Sequence, residues 1–173
     1  MFEKIRKMKN QKGFTLVELI VVLVILAILA ALLVPALTGY IDKANKEKVI
    51  ATTRMVVMAA QTEASEKYGL KADGKLSTPI ELSMEEKNGV ITSKPDAADP
   101  TPAGEKDGIN ITAIAELAEV YKNSKFANGV TKIEVKIDPK GHVTDATVIQ
   151  SGFTCVYDAD STGDKYTVTD TRS

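Results

Sequence analysis

Sixteen consecutive apolar residues, Leu19 to Val34, constrain this chain more than anything else in it. Counted from Phe14 the stretch reaches 21 residues, with only Thr15 and Glu18 polar. At the rise of an α-helix it covers roughly 31 Å, enough to cross the hydrocarbon core of a bilayer. A carboxylate in such a span costs roughly 2.5–3.5 kcal/mol on insertion scales, so Glu18 needs a partner or a purpose.

Ahead of the run lies a short basic leader. Lys4, Arg6, Lys7, Lys9 and Lys12 against Glu3 give it a net charge of +4, and since the whole chain is −1, the remainder is −5 by difference. Basic residues flanking a first apolar span stay on the cytoplasmic side, which places the following domain outside. That domain has no basic cluster and gives no footing for nucleic-acid binding. Cys155 is the only cysteine, so no intrachain disulfide can form. It alternates with Phe153 and Tyr157 on one face of an expected strand and reads as a buried thiol.

The octet Lys12-Gly13-Phe14-Thr15-Leu16-Val17-Glu18-Leu19 resembles the prepilin motif of type IV pilins and their relatives, the pseudopilins. The resemblance covers roughly the first 55 residues by motif and the rest by architecture alone. It implies that a prepilin peptidase cleaves between Gly13 and Phe14 and N-methylates Phe14. It further implies that Glu18 sets the register between subunits by pairing with the new amine of a neighbour, and that Pro35 bends the stem helix. The implied partners are copies of the chain in a helical filament, the peptidase, the assembly machinery and, before assembly, bilayer lipid. The implied location is the cytoplasmic membrane first and an extracellular pilus afterwards. Many Gram-negative pilins close a C-terminal loop with a disulfide, and the single cysteine departs from that pattern.

Beyond Pro35 the helical period resumes, with Ile41, Ala44, Val49, Val56, Ala60, Ala64 and Tyr68 near one face. One long helix from about Phe14 to Tyr68, stopped at Gly69, is the simplest reading. Thr78, Pro79 and Glu81 form a cap signature that predicts a short helix ending at Gly89. The polar stretch Ser93 to Asp107 reads as an exposed loop, and a second helix is expected over about 112–123, with Ile114, Leu117, Ala118 and Tyr121 on one face. From Val130 the period becomes two, which predicts strands over about 130–137, 142–150, 153–158 and 165–170. The expected fold is therefore α+β, pilin-like. Its long N-terminal helix, transmembrane in its first half, packs on a C-terminal antiparallel sheet of three to four strands. Three segments follow: a leader over 1–13, a hydrophobic stem over 14–37 and a globular head over 38–173.

Candidate chemistry in the head is sparse. His142 is the single histidine, and no nucleophile motif, phosphate loop or paired-acid arrangement stands out, so an enzyme is not expected. Asp158, Asp160 and Asp164 lie within seven residues of one another, an oxygen-rich run that suits calcium. Thr162 and Thr169 stand where an EF-hand loop wants further ligands, and the run reads as a plain hairpin loop, with no cofactor and calcium as the alternative. The functional expectation is a major pilin. The rivals are a minor pilin or a pseudopilin of a type II secretion or DNA-uptake system, and a secreted binding domain whose signal peptide is cut near Val34-Pro35-Ala36. Adhesion, motility, DNA uptake and aggregation all use similar subunits, and the residues do not choose among them.

Overall fold

The computed structural model describes residues 14–71, 75–76, 79–95 and 105–172. The chain divides into two compact units, with the boundary between Asp42 and Lys43. Helix α1 runs from Leu16 to Leu70, and its helical assignment is uninterrupted at Pro35. In the first unit its described side chains are exposed all round, over Leu16 to Pro35 and Leu37 to Ile41. By length and composition this helix is long and apolar enough to cross a membrane.

In the second unit α1 becomes amphipathic. Val49, Val56, Ala60 and Ala64 are fully buried, joined by Ala59, while Arg54, Met55 and Met58 face out. The buried stripe packs in one apolar core with the inner face of a six-stranded sheet of order β10-β9-β8-β7-β1-β2. The strands are β1 (Ile80–Lys87), β2 (Val90–Pro95), β7 (Val130–Ile137), β8 (Val143–Gln150), β9 (Phe153–Asp158) and β10 (Tyr166–Asp170). Every neighbouring pair is antiparallel. Register follows burial: Ile80, Leu82 and Met84 of β1 lie opposite Ile137, Val135 and Ile133 of β7, all buried. A slip of β1 by one residue would turn its three, Ile80, Leu82 and Met84, to solvent.

Where a short helix was expected after Thr78, the chain forms the hairpin β1–β2, so the sheet has six strands rather than three to four. Thr78 itself lies outside the described residues. The cap signature is local, whereas Ile80, Leu82 and Met84 alternate at the strand period and gain a partner strand; β-structure is set by such packing more than by intrinsic preference. Asn88 and Gly89, with φ of 53° and 75°, make the tight turn that joins the two strands. Both residues are left-handed, the conformation in which Asn and Gly are least penalised.

The expected loop over 93–107 is also partly strand. β2 continues to Pro95, and β3 (Glu105–Lys106) pairs with β4 (Ile109–Asn110) across an Asp107-Gly108 turn; residues 96–104 lie outside those described. The second helix, α2 (Ile111–Leu117), is shorter than predicted. Asn110 caps it, accepting from the Thr112 and Ala113 amides. It buries Ile111, Ile114 and Ala115 and leaves Leu117 57% exposed, while Tyr121 falls in the small hairpin β5 (Tyr121–Lys122) and β6 (Lys125–Phe126). A positive-φ residue after the helix, Glu119, ends it early.

α1 is tied to the sheet by more than apolar contact. Gln61 donates from Nε2 to the Gly141 carbonyl at 2.7 Å and accepts from the Val143 amide at 3.1 Å, in the manner of a short extra strand. Below the same turn, a Cβ on Gly141 would come within 3.2 Å of Tyr68 and would need a φ of +81°. A glycine is thus required twice over, by space and by backbone. Cys155 is buried on the inner face, where desolvation pushes its thiol pKa up against the lowering effects of Thr53 and Arg54.

Candidate processing and assembly site

The first described residue, Phe14, is 82% exposed and precedes the helix; Gly13 and the rest of the leader lie outside the described residues. Helix α1 starts two residues later, and Thr15 stands in the N-cap position, its hydroxyl accepting the Glu18 amide. The Thr15 amide donates to Glu18 Oε2 at 2.9 Å, and the Glu18 amide donates back to Thr15 Oγ1 at 3.3 Å. This reciprocal arrangement is a capping box. The Thr15 hydroxyl adds a donation to the same carboxylate oxygen at 2.8 Å. Glu18 therefore meets the cost of its charge in part within its own chain, through two hydrogen bonds from Thr15, and the positive end of the helix dipole favours it further.

Sequence reasoning singled out Glu18 and passed over Thr15. The signal was present, since Thr15-Leu16-Val17-Glu18 has the spacing of a capping box directly before an apolar run. Pro35 sits inside α1, and the Thr38 hydroxyl donates to its carbonyl at 2.9 Å.

The three aspartates considered for calcium lie in the loop between β9 and β10. Asp158 Oδ1 accepts the Asp160 amide at 2.9 Å, and Ser161 Oγ donates to the Asp164 carbonyl at 3.2 Å, a loop closed by its own short-range bonds. Among the described residues no group of three His, Cys, Asp or Glu side chains comes together in a way that would hold a metal ion, so Asp158, Asp160 and Asp164 are not brought together. His142 sits beside Asp138, with Nδ1 3.4 Å from Oδ2. Burial raises the Asp138 pKa, but hydrogen bonds from the His142 and Lys140 amides outweigh it and hold the carboxyl below its usual range. An open cleft of about 610 Å³ on the head is lined by Glu116, Glu119, Tyr121, Lys122, Asn123 and Ala127. It contains no Ser, Cys or His nucleophile–base pair.

With this geometry in place, the comparison with known families is specific. Residues 8–34 match the family model of the prokaryotic N-terminal methylation motif, which is the prepilin-type signal motif of type IV pilins and pseudopilins. The match contains Gly13, Phe14, Thr15 and Glu18 and ends one residue short of Pro35. No solved structure matches the chain at the significance required of a relative. A long N-terminal helix packed on a C-terminal antiparallel sheet is the pilin-like α+β layout. The chain thus carries a prepilin-type signal on a pilin-like fold. Proteins with this motif are structural rather than enzymatic, and the motif with its apolar helix fits anchoring in a membrane before assembly.

Proposed function

We propose that the chain is the major subunit of a type IV pilus. It is cut between Gly13 and Phe14 by a prepilin peptidase, N-methylated at Phe14, and drawn by a membrane assembly machine into an extracellular filament. The observation that carries this reading is the methylation-motif match over residues 8–34, joined to a helix whose first unit is exposed and apolar on every side. Such a helix has no stable place in water and calls for lipid or neighbouring stems.

Glu18 supplies the register in this reading. In the precursor its carboxylate is held by Thr15; after cleavage the amine of an incoming Phe14 offers a charged partner in apolar surroundings, where an unpaired charge is strongly unfavourable. Pro35 lacks the amide that would complete the helical bond to residue 31 and lets the stem loosen when packed among other stems. The loop over 158–164 acts as a plain hairpin connection, with Asp158 Oδ1 engaged by the Asp160 amide.

The deciding experiment is the intact mass and abundance of this chain in filaments sheared from cells. A mature chain beginning at N-methylated Phe14 and dominating long surface fibres is expected. Trace amounts would assign it to a minor pilin or a pseudopilin, and a chain beginning at or after Leu37 would identify a conventional signal peptide.

A further inference from the structure

The two edges of the six-stranded sheet are built differently. At one edge, β2 carries Lys94 and Pro95, and the small strand β3 lies close by. A lysine and a proline without an amide are devices that keep an edge from recruiting another strand. At the other edge, β10 reads Tyr166-Thr167-Val168-Thr169-Asp170, strongly β-favouring and without proline or lysine. Among the described residues its outer side pairs with no strand.

The hydrogen bonding shows which groups β10 presents there. The Asp158 amide donates to the Lys165 carbonyl at 3.0 Å and the Thr171 amide to the Gly152 carbonyl at 2.9 Å. Bonded positions alternate along an antiparallel ladder, so the odd-numbered residues of β10 face β9. The backbone groups of Tyr166, Val168 and Asp170 consequently point to the open edge. On the outer sheet face beside it Thr147, Ile149, Thr154, Val156, Thr167 and Thr169 carry no charge, and the carboxylates Asp145 and Asp158, opposite each other, lie only at its end. By contrast, the outer face at β1 and β7 is a lattice of ion pairs such as Lys136–Glu81 at 2.8 Å and Lys132–Glu134 at 2.9 Å.

We propose that β10 is a self-pairing edge, which joins the heads of two copies of this chain by antiparallel β10–β10 pairing about a two-fold axis at Val168. In that register Val168 faces Val168 of the second copy, and Thr167 faces Thr169 in both halves. Threonine–threonine and opposite-charge pairs are favourable across antiparallel strands. Extended two residues beyond the strand, the same register sets Asp164 of each copy opposite Arg172 of the other, which brings a second carboxylate to a guanidinium that already pairs with Asp170 of its own chain. Sliding the strands by one residue at each side of that axis, towards Thr167, would instead set Asp164 opposite Asp170.

A two-fold contact closes on itself and cannot propagate along a polar helical fibre. Resting on the pilus reading above, the contact therefore bundles filaments side by side. Cross-linking tests the pairing without relying on filaments. Thr167→Cys and Thr169→Cys chains, full length and co-expressed in one cell, are oxidised in the membrane or in sheared fibres. Facing residues in a non-hydrogen-bonded pair lie about 4.5 Å apart at Cα, within disulfide reach, whereas Thr167 to Thr167 is a diagonal of roughly 7–8 Å and out of reach. A disulfide dimer is expected from the mixture and from neither variant alone. No dimer from the mixture, or equal dimer from Thr167→Cys alone, overturns the proposal.

Bundling is read separately with Val168→Pro, which removes one outward amide while leaving every bond to β9. Filaments of normal length with loss of bundles in electron micrographs are expected, and bundling that persists in this variant overturns the role in bundling. If no filaments of the unaltered chain exist, the pilus reading fails while the cross-link still decides the pairing.

Discussion

At Glu119 the backbone adopts φ of 57°, in the position just past the end of α2 that glycine ordinarily fills. The Glu119 amide bonds the Glu116 carbonyl and the Val120 amide reaches back to Ala115, both at 3.0 Å, which completes a Schellman closure with a side chain in the left-handed region. Replacing Glu119 by Gly removes the Cβ penalty and returns part of the gain through a looser unfolded chain. Glu119→Gly is therefore expected to stabilise the head by about 1 kcal/mol in denaturant unfolding. Asp170 is the second residue with a clear physical signature. The Arg172 side chain and backbone hold its carboxyl down to about 2 from a usual value of 3.8. Because the folded pKa is the lower one, whatever stability the pair contributes is fully present above about pH 4 and is lost as pH falls through about 2. An NMR titration of Asp170 with a midpoint near 2, moving up in Arg172→Ala, checks the sign and the cause.

At the scale of elements, the join between α1 and the β7–β8 turn rests on Gln61 and on the absence of a Cβ at Gly141. Gln61→Ala leaves the Gly141 carbonyl and Val143 amide without their partner and is expected to cost about 1–3 kcal/mol by thermal or denaturant unfolding. Gln61→Glu, which keeps the acceptor and loses the donor, should fall between. Cys155 of β9 lies opposite Val168 of β10 in a non-hydrogen-bonded pair, the closer of the two antiparallel spacings. Val168→Cys is accordingly expected to form a disulfide with Cys155 and to stabilise the head by about 3 kcal/mol, seen as a rise in Tm abolished by reductant.

For the whole molecule, the two units answer to different surroundings, and a single variant separates them. Glu18→Ala removes a charge from an apolar span and loses the capping box, yet changes no residue of the head. Membrane insertion and head stability should be unchanged, while the number of filaments built from the variant as sole subunit drops sharply. Normal piliation would sink the register role of Glu18. Thr15→Val sharpens the comparison, since it removes the hydroxyl that Glu18 bonds and leaves the carboxylate in place. Cell fractionation and counts of sheared fibres measure both.

The sequence alone determined the helix from the stem into the head, the four C-terminal strands and the signal around Gly13, Phe14 and Glu18. These rest on unbroken apolar runs and on periods of 3.6 and two, patterns carried by the residues whatever they later touch. Val49, Val56, Ala60 and Ala64 were legible as the buried face of α1 for this reason. Only the tertiary structure decided the first hairpin. Pro79 and Glu81 look like a helix start until Ile80, Leu82 and Met84 find Ile137, Val135 and Ile133 across the sheet, about 50 residues away in sequence. It also decided that one edge of the sheet is guarded and the other open. Contacts between residues distant in sequence, and the direction of a backbone amide, leave no periodic trace in the chain that makes them.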